Sequence, residues 1–348
     1  MISCQCDDLE AVRALISASA DATQTALLVK RVSPKLKITA LHLAAFHGAV
    51  DIVDLLLCNG ADPLSPNAEG DTPLLLAAHT GSSAVFFQLL SAIVAQHSAA
   101  AQAVTSAAPV AVARVISSVS DSCDASELAQ HAAVICSTIA ASDSACDAVW
   151  RALCMVSGEG MNCLLYAAEG AHAHLVDSIL ELAQRIDDRR GCVPNSSLQS
   201  LVNLRNISAS SALHFAISAS SIPIVGALIT AGADVNARTE DGFSALLLAV
   251  QEGDAAIVAS LLAGGADPNA RDTWSQNTPL HIAIEAARVD LVSLLLANGG
   301  TAATGATRPR VDPTVTNLAG LTALMLARSV QNDEVAALVE RHASSDAS

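Results

Sequence analysis

The chain has 348 residues, enough for an extended repeat array or for two ordinary domains. Apolar residues make up 52% of it but aromatic residues only 2%, so its core must be built from Ala, Leu, Val and Ile. The net charge of −16 argues against nonspecific nucleic-acid binding. It is consistent either with a basic or neutral protein partner or with a role in solubility alone.

The N-terminal 36 residues predict one amphipathic helix over 8–20, followed by a basic loop. The start carries early acids and no signal region, so we expect no secretion. The chain has nine cysteines and no Cys-x-x-Cys pair, which indicates reduced thiols in a cytoplasmic or nuclear protein. Cys4 and Cys6 are close enough in sequence to coordinate one metal ion, but no third or fourth ligand is indicated.

The stretch Thr39–Pro63, TALHLAAFHGAVDIVDLLLCNGADP, predicts two short helices. Thr39 is suited to cap the first helix, and Gly48 to end it in the left-handed conformation. Asp51 is predicted to open the second helix, and Gly60 to stop it. One such pair of helices cannot bury its own apolar face, so it needs a copy beside it.

Copies of this pattern occur along the chain. Thr72 follows Thr39 by 33 residues, and Ser244 follows Ser211 by the same interval. The copies start at Gly70, Gly160, Ser211, Gly242, Asn277 and Gly320. Such a period of two helices and a turn is a far more specific signal than any single short motif.

The pattern resembles the ankyrin repeat family, whose TPLHxAA…G…xIVxxLLxxGADxN signature appears nearly whole at several of these places. The resemblance implies an all-α solenoid of stacked helix-turn-helix units with short hairpin-like turns, here interrupted by an Ala/Ser-rich helical insert. It assigns structural roles to the matching positions, which are Thr39, His42, Gly48, Thr72, Pro73, His214, Gly253, Thr278, Pro279, His281 and Thr322.

We therefore predict the following organisation. The chain consists of a degenerate N-terminal capping half repeat (1–36), repeats at 37–69 and from 70 to 91 onward, an insert (92–159), a degenerate repeat (160–190), a polar connection (191–208), four repeats (209–241, 242–275, 276–319 and 320–342) and a disordered tail (343–348).

The insert is the part that the repeat pattern does not describe. The helix after Val85 meets no Gly-Ala-Asp stop, so it is expected to run on through residue 104. Three or four helices are expected over 92–159, either as a lengthened repeat or as two eroded ones. A membrane span over 89–119 is disfavoured by its polar and charged interruptions.

No motif of catalysis or cofactor binding is present, so we predict a non-enzyme without cofactor or metal. His42, His214 and His281 recur at one repeat position, where the resemblance implies that each ring bonds to backbone between neighbouring repeats. Leu75 and Leu247 fill the same position elsewhere, which a ligand role would not tolerate. His172 and His174 are too close in sequence to point the same way on a helix, which disfavours a zinc pair.

What remains for function is the surface. By resemblance, the turns between repeats form fingers, here 65–69, 237–241 and 270–276, and the first helices form a concave face. Trp274 is predicted at a finger tip, where a tryptophan is not needed to fill the hydrophobic core. It therefore either binds a partner or folds back on the neighbouring finger. The predicted protein-binding residues are Trp274, Arg271, Asp272, Arg238, Glu240 and Asp241 on fingers, and Phe46, His47, His79, Gln251, Glu252 and Glu285 on the concave face.

Asn236 and Asn269 match the family's Ala-Asp-x-Asn turn. The resemblance implies that they either stabilise the turn or accept hydroxylation. The enlarged loop 301–317 contains prolines and no periodicity, which indicates a surface loop and a candidate for binding.

The sequence therefore predicts a noncatalytic scaffold that binds one or more proteins, with a basic or helical segment as the expected contact and with a monomeric state. The alternative is an adaptor subunit, for example of a ubiquitin ligase, whose catalytic partner docks on the 92–159 insert. An enzyme hidden in that insert has no supporting motif.

Overall fold

A computed structural model describes residues 28–102, 143–190, 196–297 and 310–345, together with residue 14. Within these residues the regular elements are helices, joined by turns that include three isolated antiparallel bridges. The all-α prediction is confirmed. The chain divides into two compact units, Met1–Leu201 and Val202–Ser348.

The helices come in pairs, one pair to each repeat. The first unit contains α1 (Ala40–His47), α2 (Val50–Cys58), α3 (Pro73–Thr80), α4 (Ser83–Gln102), α5 (Asp143–Leu153), α6 (Cys163–Glu169) and α7 (Ala173–Arg190). Helix α8 (Ser196–Val202) spans the division. The second unit contains α9 (Ala212–Ser218), α10 (Ile222–Thr230), α11 (Ala245–Glu252), α12 (Ala255–Ala263), α13 (Pro279–Glu285), α14 (Val289–Ala297), α15 (Ala323–Ser329) and α16 (Asp333–Ser345).

Within each unit the helices form two layers. The first helix of each repeat packs on the first helix of the next, as α1 does on α3 and α11 on α13. The second helices form the other layer, in which α2 packs on α4 and α12 on α14. Alanines such as Ala44 and Ala45, which are fully buried, let the layers approach closely. The aromatic-poor composition is thus suited to this stack.

The first helix of each repeat begins and ends through local interactions. The Thr39 hydroxyl accepts a hydrogen bond from the His42 amide, and the backbone of Thr39 donates to the His42 ring. Gly48 closes α1 in the left-handed conformation with φ +71°. Helix α2 begins at Val50 and ends at Cys58, each within a residue or two of the predicted bound. Gly60 lies just after this end and adopts a positive φ.

The left-handed turn persists where the glycine is absent. Gly48, Gly81 and Gly253 occupy the ninth position after the helix cap. The same position in four other repeats adopts a positive φ without a glycine, at Ala171, Ser220, Ala287 and Gln331. An L-residue there costs about 1–2 kcal/mol. The packing of the two helices on their neighbours therefore imposes the turn against local preference.

The insert extends the second-helix layer. Helix α4 continues without the usual stop at least to Gln102, and the predicted end at residue 104 lies outside the described residues. Helix α5 packs against α4 and α7, while α3 and α6 are direct neighbours in the first-helix layer. No other helix of the described residues therefore lies between α3 and α6 in this layer. The remaining helices predicted for the insert lie outside the described residues, as does most of 1–36.

Two predicted irregular segments contain helix. The polar connection 191–208 includes α8, where the buried Asp187 carboxylate accepts the Ser197 and Leu198 amides at 3.0 and 2.9 Å. The predicted tail begins within α16, which continues to Ser345 because its last turns extend a helix already packed on α15. Over the described parts of the chain, no helix is long and apolar enough to cross a membrane.

Candidate protein-binding surface

Backbone hydrogen bonds join neighbouring fingers. The Gly158 amide donates to the Glu69 carbonyl at 2.6 Å, and the Glu240 amide donates to Ser208 at 2.9 Å. The Leu318 amide likewise donates to the Ser275 carbonyl at 2.8 Å. Each finger is therefore held by the next one, so the side chains at the tips are presented from a supported backbone.

Asparagine side chains tie the turns at the ends of the second helices. The Asn236 side chain donates to the Gly265 carbonyl at 3.3 Å and accepts the Asp267 amide at 2.8 Å. Asn269 bonds in the same way to Arg310 and Asp312. Asn203 makes the same pair of bonds one repeat earlier. The sequence analysis did not identify this residue, although it lies 33 residues before Asn236, which is one repeat period.

The third finger is shaped by Asp272. This side chain is only 6% exposed, and its carboxylate accepts the amides of Trp274, Ser275 and Asn277 at 2.9, 2.6 and 3.2 Å. We predicted Asp272 as a binding residue, but its oxygens face its own turn. It supports the finger from within instead of offering a contact surface.

Trp274 stands at the tip of this finger with 71% of its surface exposed. With this much of its surface exposed, the indole covers little of the neighbouring finger. The exposed Leu318 on the next finger faces the same cleft. Two large apolar side chains on adjacent, backbone-linked turns are typical of a contact surface for another protein.

Between these two tips lies a cleft of about 400 Å³ that we call the finger groove. Its side chains form a chain of hydrogen bonds, in which the Asn317 amide donates to Asn277 at 3.0 Å and the Asn277 amide donates to the Glu285 carboxylate at 3.3 and 3.4 Å. The lining residues are Trp274, Ser275, Asn277, Glu285, Asn317, Leu318 and Ala319. Only Trp274 and Glu285 of these were predicted from sequence.

The second and third fingers interlock. The Arg238 guanidinium donates to the Arg271 carbonyl at 2.8 Å, and the Thr273 hydroxyl donates to the Asp241 carbonyl. Three of the predicted binding residues, Arg238, Asp241 and Arg271, thus lie where the second and third fingers meet. Asp241 and Gln251 also line a neighbouring cleft of about 320 Å³, and Glu240 and Glu252 are exposed.

The three predicted residues of the first unit are all exposed. Phe46 and His47 pack edge to face with ring centroids 5.4 Å apart. The His79 carbonyl accepts a hydrogen bond from the His172 ring at 3.1 Å, which gives His172 a structural contact. These residues form a separate candidate surface.

A further cleft in the first unit, of about 630 Å³, lies between the turns at 66–71 and 157–159. The Tyr166 hydroxyl donates to the Asp71 carboxylate at 2.9 Å. Burial, followed by the bond to this carboxylate, raises the pKa of Tyr166 to about 12, so the phenol stays protonated. Sequence reasoning missed this pair, because the two residues are far apart along the chain.

The recurrent histidines are structural. The His42 ring accepts from the Thr39 backbone and donates to the Asp71 carbonyl of the next repeat at 3.1 Å. His281 makes the same bond to Leu321, also at 3.1 Å. His214 bonds its cap Ser211, while its Nε2 has no hydrogen-bond partner among the described residues. No group of three or more metal-ligating side chains occurs in the described ranges, and Cys4 and Cys6 lie outside them.

These histidines predict an acid-sensitive fold. Burial lowers the pKa of His42, His214 and His281. The unfolded chain therefore binds protons more readily, so their contribution to stability is present above about pH 6.5 and is lost as the pH falls through the folded-state pKa. A variant with leucine at all three positions should lose less stability between about pH 7 and 5 in urea titrations. An unchanged pH dependence would contradict this assignment.

Comparison with known proteins agrees with the geometry. The sequence profile described as ankyrin repeats (3 copies) matches residues 1–101, 190–272, 213–308 and 246–347. The crystal structure of the ankyrin repeat domain of Bcl-3, a unique member of the IkappaB protein family, is similar with a TM-score of 0.56 and 21% identity, and the match covers 88% of this chain and 100% of that one.

A curated relative is similar over a shorter stretch. The E3 ubiquitin-protein ligase XB3 of Oryza sativa subsp. japonica is 35% identical over 88 residues, which are 25% of this chain. The chain spans only 18% of that protein's length. The profile matches cover well over half of the residues, and the described helices stack in paired layers. The chain therefore belongs to the ankyrin repeat family.

Proposed function

We propose that this chain is a noncatalytic scaffold that binds a partner protein through its fingers and concave face, with the finger groove as the principal contact. Ankyrin repeats are protein–protein interaction modules, which supports the general role. The observation that carries the placement is Trp274, because a tryptophan left 71% exposed on a hydrogen-bonded turn contributes nothing visible to the core.

The test is quantitative capture of proteins from cell lysate on the immobilised chain. Replacing Trp274 with alanine should reduce the recovery of specific partners by at least about tenfold, as expected for a binding hot spot. The matched control is Ile222→Ala, which removes another exposed apolar side chain of the same unit from a second helix. Equal recovery with the native chain and Trp274→Ala would contradict the placement, provided that both variants show native circular dichroism.

We also propose the chemistry of the partner, the oligomeric state of the chain and its location in the cell. The excess of acids supports a basic or helical partner segment, and we infer that the chain acts as a monomer. The free thiols Cys58, Cys146, Cys154 and Cys163 support a cytoplasmic or nuclear location, where glutathione keeps thiols reduced.

A second candidate function is that of a substrate adaptor for a ubiquitin ligase. The similarity to part of an E3 ubiquitin-protein ligase favours it. We propose that a catalytic partner would dock on the 92–159 insert, whose described helix α5 lies in the second-helix layer. Deleting residues 103–142 should then abolish ubiquitin transfer by captured complexes while leaving Trp274-dependent capture unchanged. Transfer that persists after the deletion would contradict docking on the insert.

A further inference from the structure

The finger groove carries an acidic group whose orientation is set before any partner arrives. Asn317 donates to Asn277, and Asn277 donates to both oxygens of Glu285. Both asparagines are neutral and supply no counter-charge, and a carboxylate that accepts one amide retains free lone pairs. No ion pair joins Glu285 to a cation within the described ranges.

Two of the side chains that line the groove are large and apolar. Trp274 is 71% exposed and Leu318 is 74% exposed, so both present large surfaces to whatever enters. Arg271 lies on the same finger but does not line the groove. A volume of about 400 Å³ falls within the range of small-ligand sites, about 300–1,000 Å³, and accommodates a long side chain with part of its backbone.

We propose that the finger groove binds an arginine side chain in an extended segment of the partner protein, a proposal that rests on the function proposed above. The planar guanidinium pairs with Glu285 and stacks on the Trp274 indole, while the methylene groups pack against Leu318. Lysine offers the charge without the planar face, and an acidic segment would meet Glu285 and the −16 net charge of the chain.

The experiment selects a displayed library of random short peptides on the full chain and synthesises the tightest binder in two forms. One form carries arginine and the other carries citrulline, which has nearly the same shape without the charge. Dissociation constants of both forms are measured by fluorescence anisotropy against the native chain, Glu285→Gln and Glu334→Gln. The last variant is the matched control, because it removes an exposed carboxylate of α16 that neither lines the groove nor belongs to the predicted binding residues.

We expect selected peptides to contain arginine and the citrulline form to bind about fivefold more weakly to the native chain, as for an exposed ion pair. With Glu285→Gln the difference between the two forms should shrink to the part that stacking of the charged guanidinium on Trp274 supplies, and with Glu334→Gln the native difference should remain. Trp274→Ala should weaken the arginine form by at least about tenfold.

Selection of peptides without arginine, a failure to select any, or a citrulline effect of undiminished size in Glu285→Gln would each overturn the proposal. Loss of partner capture in Trp274→Ala, combined with no arginine preference, would leave the scaffold function standing and remove only the arginine assignment. An arginine preference without an effect of Trp274→Ala on capture would instead contradict the proposed placement of the partner.

Discussion

Replacing Phe86 with alanine is expected to lower the free energy of unfolding of the first unit by about 3–5 kcal/mol. Phe86 lies in α4 with no exposed surface, and it packs edge to face with the buried Phe87 at a centroid distance of 5.7 Å. Truncation removes most of the ring's buried apolar area and leaves a cavity that the surrounding helices fill only in part. Urea unfolding followed by circular dichroism measures the loss.

The matched control for this change is Phe46→Ala in the same unit. Phe46 is 45% exposed on α1, so its truncation should cost less than about 1 kcal/mol. Amide exchange should place the effect of Phe86→Ala in the first unit, because the repeats of a solenoid depend on their immediate neighbours. Similar losses for both phenylalanines would contradict the buried position of Phe86.

Replacing Gly70 with alanine is expected to cost about 2–4 kcal/mol, from two separate causes. Its φ of +84° disfavours any L-residue by about 1–2 kcal/mol. A Cβ there would also lie 2.6 Å from the backbone nitrogen of Gly158, the atom that donates to the Glu69 carbonyl. Two fingers would have to separate, at an additional strain cost of about 1–2 kcal/mol.

Gly60→Ala isolates the first cause. Gly60 has a similar φ of +81°, but a Cβ at this position would meet nothing within 4 Å. Its loss of stability should therefore stay near the conformational cost alone, about 1–2 kcal/mol. Faster exchange of the Gly158 amide in Gly70→Ala, and not in Gly60→Ala, would report the broken finger contact. Equal effects of the two substitutions in both measurements would refute the close approach.

The candidate surface was predictable only in part. Trp274 was identifiable because a large aromatic residue in a polar turn departs from the repeat pattern. Leu318 and Asn317 were missed, because they fall at the end of an enlarged loop where the period breaks. Asp272 was assigned to the wrong side of its finger, since sequence does not reveal which way a turn carboxylate faces.

The repeat architecture and the helix caps were evident from the sequence alone. These features depend on residues within one turn of a helix or on one fixed period, so Thr39 meets His42 wherever the unit folds. The left-handed turn at Ala287, the place of α5 in the second-helix layer, and the finger groove arise only when the helices pack together. The Asn277 side chain touches Glu285 of its own repeat and Asn317 of the next, and such contacts exist only once neighbouring repeats have stacked.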